Sequence, residues 1–324
     1  MGKRYICLDI GGTKILGAVF DENDSIIYKT KKKAKAEEGF EETEQSIIKV
    51  IEELVKESGT GAGELAGIAA GAPGAVNEKD GVILYAPNLP WKNYNIRSTF
   101  ETRFGVPFFI GNDANTGILG EWKYGAGKGK SNVIGLFVGT GIGGGIIIDN
   151  KLFTGSRHVG AEVGHMTLNT EGPYCNCGQR GCLEAYASKI AITREINSQL
   201  QRGRESMLKD LMDEKLQALK SKALKKAIDA NDSLAGEVLD RAVYYLAAGA
   251  GSLINIFNPE MFILGGGVLE ALGGYVMPAF KKYLERFTWP EILEGTAIVK
   301  SKLGDNAIIY GALAMIRNGE SREG

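Results

Sequence analysis

The sequence predicts an α/β protein of two lobes, in which one strand–glycine turn–strand unit occurs twice. A chain of 324 residues exceeds the usual size of one small domain and suits two α/β lobes with a cleft between them. A short apolar run that ends at Asp9 is followed by a glycine turn and a second apolar run. The same arrangement recurs about 128 positions later, from Gly11 to Gly139, so we predict duplicated sheet domains.

Composition places the chain among globular proteins and argues against two other classes. Apolar residues make up 44% of the chain and charged residues 24%, which is enough for a sizeable core. The net charge of −1 argues against a nucleic-acid-binding protein, and we interpret the basic run 29–35 as a solvated strand edge. No apolar run approaches the ~20 residues that span a bilayer, and the N-terminus lacks a secretory signal. We therefore expect a cytoplasmic protein without a membrane span.

In the first half, apolar periodicity and turn residues predict the elements. Strands are predicted at 4–10, 15–20, 25–30, 65–70 and 108–110. Apolar residues recur at helical spacing within 40–57, which predicts an amphipathic helix. Residues 88–91 form a predicted loop, and a helix is expected to begin near Asp113.

The second half is predicted to repeat the first and to add helices. Strands are predicted at 132–138, 146–149, 261–264 and 296–300, and helices at 182–200, 205–257, 275–286 and from 305 onwards. The charged stretch 203–232 is either an interface or a solvated face. We expect a smaller N-terminal lobe over 1–115 and a larger C-terminal lobe over 116–304. The last helix, 305–324, is expected to pack back on the first lobe.

A cluster of cysteines predicts a metal centre. Three of the four cysteines lie within eight residues, and one of the two histidines lies ten positions upstream. Thiolate and imidazole are the ligands that zinc prefers, so His165, Cys175, Cys177 and Cys182 form a plausible tetrahedral set. Four protein ligands would close the shell, which indicates a structural zinc. A disulfide or a chance cluster is the alternative, although clustered cysteines in a chain without a secretory signal favour a metal.

Three glycine-rich turns, each after a predicted strand, indicate a nucleotide site. They occupy 9–14, 139–145 and 265–267. Glycine lets backbone N–H groups approach an anion closely. The pattern at 139–144 lacks the following helix of a dinucleotide fingerprint, and 124–131 lacks the leading glycine of a P-loop. These two missing features argue against a Rossmann dehydrogenase and a Walker NTPase. The remaining interpretation is a phosphate cradle formed by β-hairpin turns.

Within that cradle, three side chains have candidate roles. Thr13 can donate a hydrogen bond to a phosphate oxygen, and Lys14 either lies near the phosphate or is an exposed turn lysine. Asp9, at a strand end, can hold Mg²⁺ directly or through water, because magnesium in such sites uses few carboxylates. Asp113 also follows a strand end, and it is either the carboxylate that accepts a proton during phosphoryl transfer or the N-cap of the next helix.

Seven motifs along nearly the whole chain resemble those of the ROK family of sugar kinases and repressors. They are Asp-Ile-Gly-Gly-Thr-Lys at 9–14, Asn-Asp-Ala-Asn at 112–115, Gly-Thr-Gly-Ile-Gly-Gly-Gly at 139–145, Glu-Val-Gly-His at 162–165, Cys-x-Cys-Gly-x-x-Gly-Cys-Leu-Glu at 175–184, Leu-Gly-Gly-Gly at 264–267 and Gly-Asp-Asn-Ala at 304–307. The resemblance implies the two-lobed actin-like ATPase (ribonuclease H-like) fold.

The resemblance also implies the roles of individual residues. It implies Asp113 as general base and His165, Cys175, Cys177 and Cys182 as ligands of a structural zinc. It implies sugar contacts at Gly74, Asn88, Asn112, Asp113, Glu162, His165 and Glu184. The implied site for ATP with Mg²⁺ comprises Asp9, Gly11, Gly12, Thr13, Lys14, Gly139, Thr140, Gly141, Gly265 and Gly266.

Within the family the sequence is most similar to bacterial glucokinases, which implies ATP-dependent phosphorylation of glucose at its 6-hydroxyl, in glycolysis. The alternatives are a kinase for N-acetylmannosamine, N-acetylglucosamine or fructose, and a sugar sensor or repressor without catalysis. Repressors of the family carry a DNA-binding extension before the first motif, whereas only eight residues precede Asp9 here. The resemblance further implies a homodimer or homotetramer.

Overall fold

Two five-stranded sheets form the framework of the structure, a computed structural model that describes residues 2–61, 63–211 and 219–323. The strands are β1 (Arg4–Ile10), β2 (Lys14–Phe20), β3 (Ile26–Lys33), β4 (Leu65–Ala72), β5 (Ala75–Asn77), β6 (Val82–Tyr85), β7 (Lys92–Asn95), β8 (Phe108–Asn112), β9 (Val133–Val138), β10 (Ile142–Ile148), β11 (Lys151–Leu152), β12 (Met261–Gly265) and β13 (Ala297–Lys300). The α-helices are α1 (Phe40–Glu57), α2 (Ile96–Phe104), α3 (Asp113–Tyr124), α4 (Glu184–Ala187), α5 (Lys189–Gln201), α6 (Ser221–Asp229), α7 (Ser233–Phe257), α8 (Gly267–Leu284), α9 (Pro290–Gly295) and α10 (Ala307–Glu323).

The two large sheets have the same topology. Their strand orders are β3-β2-β1-β4-β8 and β11-β10-β9-β12-β13. In each sheet, three antiparallel strands are followed by two strands that pair in parallel. The predicted duplication is therefore confirmed, and it extends from the hairpin to the whole sheet.

The first sheet is buried on both faces because helices cover it from both sides. Along β1, Ile6 and Leu8 pack in one cluster with α1, whereas Tyr5 and Cys7 pack on the opposite face with α10. This alternation follows from the two-residue period of a strand. Asp9 shares the face of Tyr5 and Cys7, so its carboxyl group lies on the α10 side of the sheet.

Helices α3 and α10 connect the two sheets. They pack against each other, and each also contacts the first sheet. On its other side α3 contacts β9 and β10, and Ile118 and Trp122 pack with Ile263 of the second sheet. The opposite face of the second sheet is covered mainly by α7 and α8. The proposed lobe boundary at 115/116 falls inside α3 and stays a prediction.

Several predicted elements have different bounds in the structure. Strand β10 begins at Ile142, four residues before the predicted start, so half of the glycine-rich turn is strand. The helix predicted over 182–200 is two helices, because Ser188 caps α5 by accepting a hydrogen bond from Ala191 N at 3.1 Å. Helix α8 begins at Gly267, and not near residue 275 as predicted.

Other regions hold structure that the sequence pattern did not reveal. Strands β5, β6 and β7 form a small antiparallel sheet, and α2 follows it directly. The helical region predicted over 205–257 comprises α6 and α7 with a short 3₁₀ turn before them, and 212–218 of this prediction lie outside the described residues. No helix in the described part of the chain is long and apolar enough to cross a bilayer.

Candidate active site

A cavity of about 490 Å³ opens between the two sheets, and residues from both sheets line it. Of the residues predicted to act in the site, its lining includes Asp9, Gly74, Asn88, Asn112, Asp113, Gly139, Thr140, Gly141, Glu162, His165, Glu184 and Gly266. The fold thus brings together residues separated by more than 250 positions of sequence. Gly11, Gly12, Thr13, Lys14 and Gly265 are not among the described residues of this lining.

Asp113 is the first residue of α3, and its half-buried side chain lines the cavity. Asn112 provides the N-cap of α3, since its Oδ1 accepts a hydrogen bond from Asn115 N at 3.1 Å. Asp113 Oδ1 accepts a hydrogen bond from Ala114 N at 2.7 Å. Burial raises the pKa of Asp113 above its ordinary value, and the hydrogen bond from Ala114 opposes this rise. A carboxylate with a raised pKa is a stronger base than an exposed one.

Asp9 faces the same cavity with a strongly shifted pKa. Burial, followed by repulsion from Asp113, raises the pKa of Asp9 to about 7. Lys31 lowers that pKa and Asp305 raises it, so both charges lie within reach of the Asp9 carboxyl group. Lys31 and Asp305 line the cavity as well. Neither residue was a predicted site residue, because nothing in the local pattern around Lys31 or Asp305 signals that β3 meets the turn before α10.

The carboxylates of this cavity fit a divalent cation. Asp9 and Asp305 both present oxygen ligands to the cavity, and oxygen is the ligand type that Mg²⁺ requires. Mutual repulsion with Asp113 and Asp305 contributes to the raised pKa of Asp9, and a bound cation would relieve it. The donor set therefore suits the predicted Mg²⁺, although Asp305 was not part of the predicted set.

At the other end of the cavity, glycines allow close contacts that fix polar side chains. Asn112 Nδ2 donates a hydrogen bond to Gly74 O at 3.0 Å, and Gly74 has a φ of 98°, a conformation that favours glycine. Glu184 Oε2 accepts a hydrogen bond from Ile142 N at 2.8 Å. A Cβ atom at Gly141 would lie 2.3 Å from Glu184 Oε2, so only glycine leaves room for this carboxylate.

The turn between β1 and β2 supports a neighbouring loop, and its role as a phosphate cradle stays a prediction. Gly11 N donates to Lys14 O at 2.9 Å and closes the turn. A Cβ atom at Gly12 would lie 2.4 Å from Asn88 O, so Gly12 provides the space in which the loop of Asn88 sits. In this structure the turn supports the loop that carries a predicted sugar ligand.

Electrostatics link Glu162 to the same group. Burial raises the pKa of Glu162; the charge of His165 opposes the rise, while Asp113 and Glu184 add to it. The four residues are therefore close enough to influence one another. Their oxygen and nitrogen atoms can accept and donate hydrogen bonds at one wall of the cavity, which is what a polyhydroxylated ligand requires.

The predicted zinc ligands converge at the edge of this wall. One ligand atom from each of His165, Cys175, Cys177 and Cys182 lies within 4.8 Å of all the others. Cys177 Sγ lies 3.8 Å from Cys182 Sγ, and Cys175 Sγ lies 3.7 Å from His165 Nδ1. A tetrahedron with Zn–S bonds of about 2.3 Å has edges of about 3.8 Å between sulfur atoms. The cluster therefore fits the dimensions of a zinc site.

The same contact identifies which ring nitrogen of His165 would bind the metal. Nδ1 lies beside Cys175 Sγ, and His165 also lines the cavity. A metal on Nδ1 would fix the proton on Nε2 and make that atom a hydrogen-bond donor.

Comparison with known proteins agrees with this arrangement. Residues 5–318 match the ROK family. The chain belongs to the ROK family. A glucokinase from Thermotoga maritima is 34% identical to this ROK protein over 315 residues, which cover 97% of each chain. A xylose repressor from Caldicellulosiruptor bescii is 32% identical over 90% of this chain and 72% of the repressor.

A solved structure shows the same architecture. The ROK family glucokinase from Streptomyces griseus, in complex with glucose and AMPPNP, is 32% identical and superposes with a TM-score of 0.81 over 98% of this chain and 100% of that one. The predicted actin-like ATPase fold is thereby confirmed for this ROK protein. The relatives support the prediction of an ATP-dependent sugar kinase, whereas the similarity to a repressor leaves the substrate to be argued from the site.

Proposed function

We propose that this ROK kinase transfers the γ-phosphoryl group of ATP to the 6-hydroxyl of glucose, with Asp113 as general base. The observation that carries the proposal is the half-buried Asp113 carboxyl group, with a raised pKa, in a cavity that both sheets line. Phosphoryl transfer to a hydroxyl needs a positioned carboxylate that accepts the proton, and little other covalent chemistry. The glucokinase relatives support glucose as the acceptor.

In this proposal the cavity walls orient the sugar. Glu162 and Glu184 accept hydrogen bonds from neighbouring hydroxyl groups, whereas Asn88 and Asn112 can both donate and accept. Glu184 is held by Ile142 N, so its free lone pairs have a defined direction. Because the wrong hydroxyl pattern would leave such buried groups unpaired, the arrangement supports strong discrimination between sugars.

The phosphate chain of ATP is proposed to lie against the turn 139–141 and against Gly265 and Gly266. Gly266 precedes α8, and the N-terminus of a helix favours an anion. Mg²⁺, held through Asp9 directly or through water, would neutralise charge on the phosphate oxygens. Asp113 lines the cavity together with the proposed sugar ligands, so the hydroxyl of a sugar bound there would be the proton donor within its reach.

Zinc is proposed as a structural ion with an indirect role in sugar binding. Its four ligands close the coordination shell, which leaves no position for a reacting water. Through Nδ1 it would hold His165 so that Nε2 donates to a sugar hydroxyl.

A second cavity beside the first is the reason for testing N-acetylhexosamines as alternative substrates. It has a volume of about 600 Å³ and is lined by Ala75 and Tyr85. It shares Asn88 and His165 with the proposed sugar-binding residues, here called the sugar wall: Asn88, Asn112, Glu162, His165 and Glu184. This space can accept a substituent larger than a hydroxyl, as in N-acetylmannosamine or N-acetylglucosamine. Ala75 offers such a group no polar side chain, which favours glucose.

The test is an ATP-coupled assay with glucose, fructose, N-acetylmannosamine and N-acetylglucosamine. We expect kcat/KM to be highest for glucose. A higher value for an N-acetylhexosamine would replace glucose by that substrate. If the protein bound one of these four sugars but phosphorylated none, the alternative of a sugar sensor or repressor would be supported. The similarity of the chain to a xylose repressor is the reason for that alternative.

Two further predictions accompany the proposed activity. We predict that the protein acts in the cytoplasm, because its free cysteines and its predicted zinc site suit a reducing compartment. A homodimer or homotetramer is expected from the family resemblance, and size-exclusion chromatography with light scattering measures it.

A further inference from the structure

The basic run 29–35 was interpreted as a solvated strand edge, but one of its lysines faces the cavity. In the register of the first sheet, Asp9 lies opposite Leu16, and Leu16 lies opposite Lys31. Directly opposed residues of antiparallel strands share a face, so the three residues form one row across the sheet. Neighbouring strands lie about 4.8 Å apart, which places the Asp9 and Lys31 backbones roughly 10 Å from each other. All three residues line the cavity of about 490 Å³.

The charge of this cavity is strongly unbalanced. Six carboxylates line it: Asp9, Asp113, Glu162, Glu184, Glu270 and Asp305. In the described part of the lining, Lys31 is the single lysine or arginine. A nucleoside triphosphate brings several further negative charges into this space, so its binding requires positive charge in addition to a divalent cation.

The ion pair between Lys31 and Asp305 is weak enough for Lys31 to bind another anion instead. Lys31 Nζ lies 3.8 Å from Asp305 Oδ2, and the side chains are 49% and 77% exposed. Ion pairs with this exposure contribute little net stability. Asp305 belongs to the turn before α10, and Lys29 Nζ donates to Asn306 Oδ1 of that turn at 3.0 Å. The turn thus stays attached to β3 when Lys31 releases Asp305.

We propose that Lys31 binds the terminal phosphates of the nucleoside triphosphate and leaves Asp305 when the nucleotide binds. The inference rests on the proposed function, since it assigns a residue to the phosphate donor of that reaction. Lys31 approaches the phosphates from the first sheet, opposite the N-terminus of α8 at Gly266 and Gly267 of the second sheet. A lysine ammonium suits this task as a mobile point charge on a flexible stem.

The neighbouring lysine provides a matched control. Lys32 lies on the opposite face of β3, where its Nζ pairs with Glu53 Oε2 at 3.0 Å, on the side of α1. The Lys32 side chain is 50% exposed, almost the same as that of Lys31. Replacing either lysine by methionine removes the same charge from the same strand and breaks one ion pair with an acidic residue.

The test is calorimetric titration of the full chain with Mg²⁺–AMPPNP for the wild type, Lys31→Met, Lys32→Met and Lys31→Arg. Removing a hydrogen bond to a charged group lowers binding affinity by about 10- to 100-fold. We expect that loss for Lys31→Met, less than about threefold for Lys32→Met, and partial recovery for Lys31→Arg. A glucose titration of each variant, expected to be unchanged, verifies that the sugar wall is intact.

Nucleotide affinity of Lys31→Met equal to that of Lys32→Met would overturn the inference, as would an equal loss of nucleotide and glucose affinity. The two proposals fail separately. A wild type that binds AMPPNP but phosphorylates no sugar refutes the proposed function while the comparison of the lysines still stands. A wild type that binds no nucleotide overturns both.

Discussion

The two β-hairpin turns of the duplicated sheets start from the same motif and serve different purposes. In the first sheet, the turn at Gly12 packs beneath Asn88, and the strands beside it present the charged side chains of Asp9 and Lys31. In the second sheet, the turn 139–141 with Thr140 opens into the cavity, and the strands beside it present glycine and apolar residues. One copy of the scaffold thus supplies charge, and the other supplies space and backbone hydrogen bonds.

The two copies of the duplicated sheet contribute different groups to the same cavity. Burial, followed by repulsion from Asp113, raises the pKa of Asp9 on the first sheet to about 7. The second sheet accommodates a side chain from outside the sheet, since Gly141 leaves room for Glu184, which follows the cysteine cluster at the start of α4. Mutations in the first sheet should therefore affect proton and cation chemistry, whereas mutations in the second should affect sugar placement.

The largest expected effect concerns Asp113, at the end of the first sheet. Replacing Asp113 by Ala should lower kcat about 10²- to 10⁴-fold, because the proton acceptor is lost. Glucose affinity by calorimetry and the thermal unfolding temperature should change little. Lost sugar binding with kcat preserved at saturation would instead make Asp113 a binding residue.

The zinc loop should act on the sugar wall that borders the second sheet. Cys177→Ser should abolish zinc binding and weaken glucose affinity about 10- to 100-fold, since His165 loses its fixed orientation. Metal analysis and glucose titration measure the two effects. Cys7→Ala is the control, because Cys7 lies buried in the first sheet away from the cluster and should leave zinc content unchanged. A zinc-free protein with normal kcat and KM would contradict this role.

A smaller effect is expected from the turn of the second sheet. Gly141→Ala should weaken glucose affinity roughly tenfold, because its Cβ would collide with Glu184 Oε2 at 2.3 Å. Gly139→Ala should leave glucose affinity nearly unchanged, since its Cβ would meet nothing closer than Gly141 O at 4.0 Å. Titrations are done without nucleotide. Equal losses in both variants would mean that Glu184 moves freely and that the comparison of the turns is wrong.

The smallest effect is on stability and depends on pH. Folding raises the pKa of Asp9 from 3.8 to about 7, so Asp9 lowers the stability of the fold progressively as the pH rises from about 4 to about 7, and the full loss is present above pH 7. Asp9→Asn should therefore raise the free energy of unfolding at pH 8 by on the order of 1 kcal/mol, a figure reduced because Asp9 faces cavity water. The gain should vanish below about pH 4, where Asp9 is protonated in both states.

Urea unfolding at pH 4 and pH 8, without divalent cations, measures this gain. An equal gain at both pH values would attribute the effect to packing and not to the charge of Asp9. Thr140→Val, a neutral change in the second sheet, should give the same difference at both pH values and serves as the control.

The sequence predicts most of the framework because its signals are local. The apolar run of β1, the helical spacing of α1 and the cysteine spacing of the zinc cluster each lie within a few residues of one another. Strands β5 to β7 escaped prediction because they are short and partly polar, as in Lys92–Asn95, where no alternation is visible.

The missed residues of the site have a different cause. Lys31 and Asp305 lie far apart in sequence, and only the packing of α10 on the first sheet brings them together. Lys31 belongs to no motif, and the motif at 304–307 that contains Asp305 does not indicate that its side chain meets β3. Similarly, both Asn112 and Asp113 are chemically able to cap α3, and only the hydrogen bond from Asn115 N to Asn112 assigns the cap. Sequence therefore predicts the motifs of the site, but not the charges that long-range packing adds to it.

The packing of α10 on the first sheet has a consequence for biosynthesis. β1 leaves the ribosome long before α10 is made, so the face with Tyr5, Cys7 and Leu16 has no cover from Ile309 and Leu313 during most of translation. The turn that carries Asp305 is also made late. The nascent chain should therefore expose an apolar sheet face until synthesis reaches α10, and the pocket should acquire nucleotide affinity only after that point.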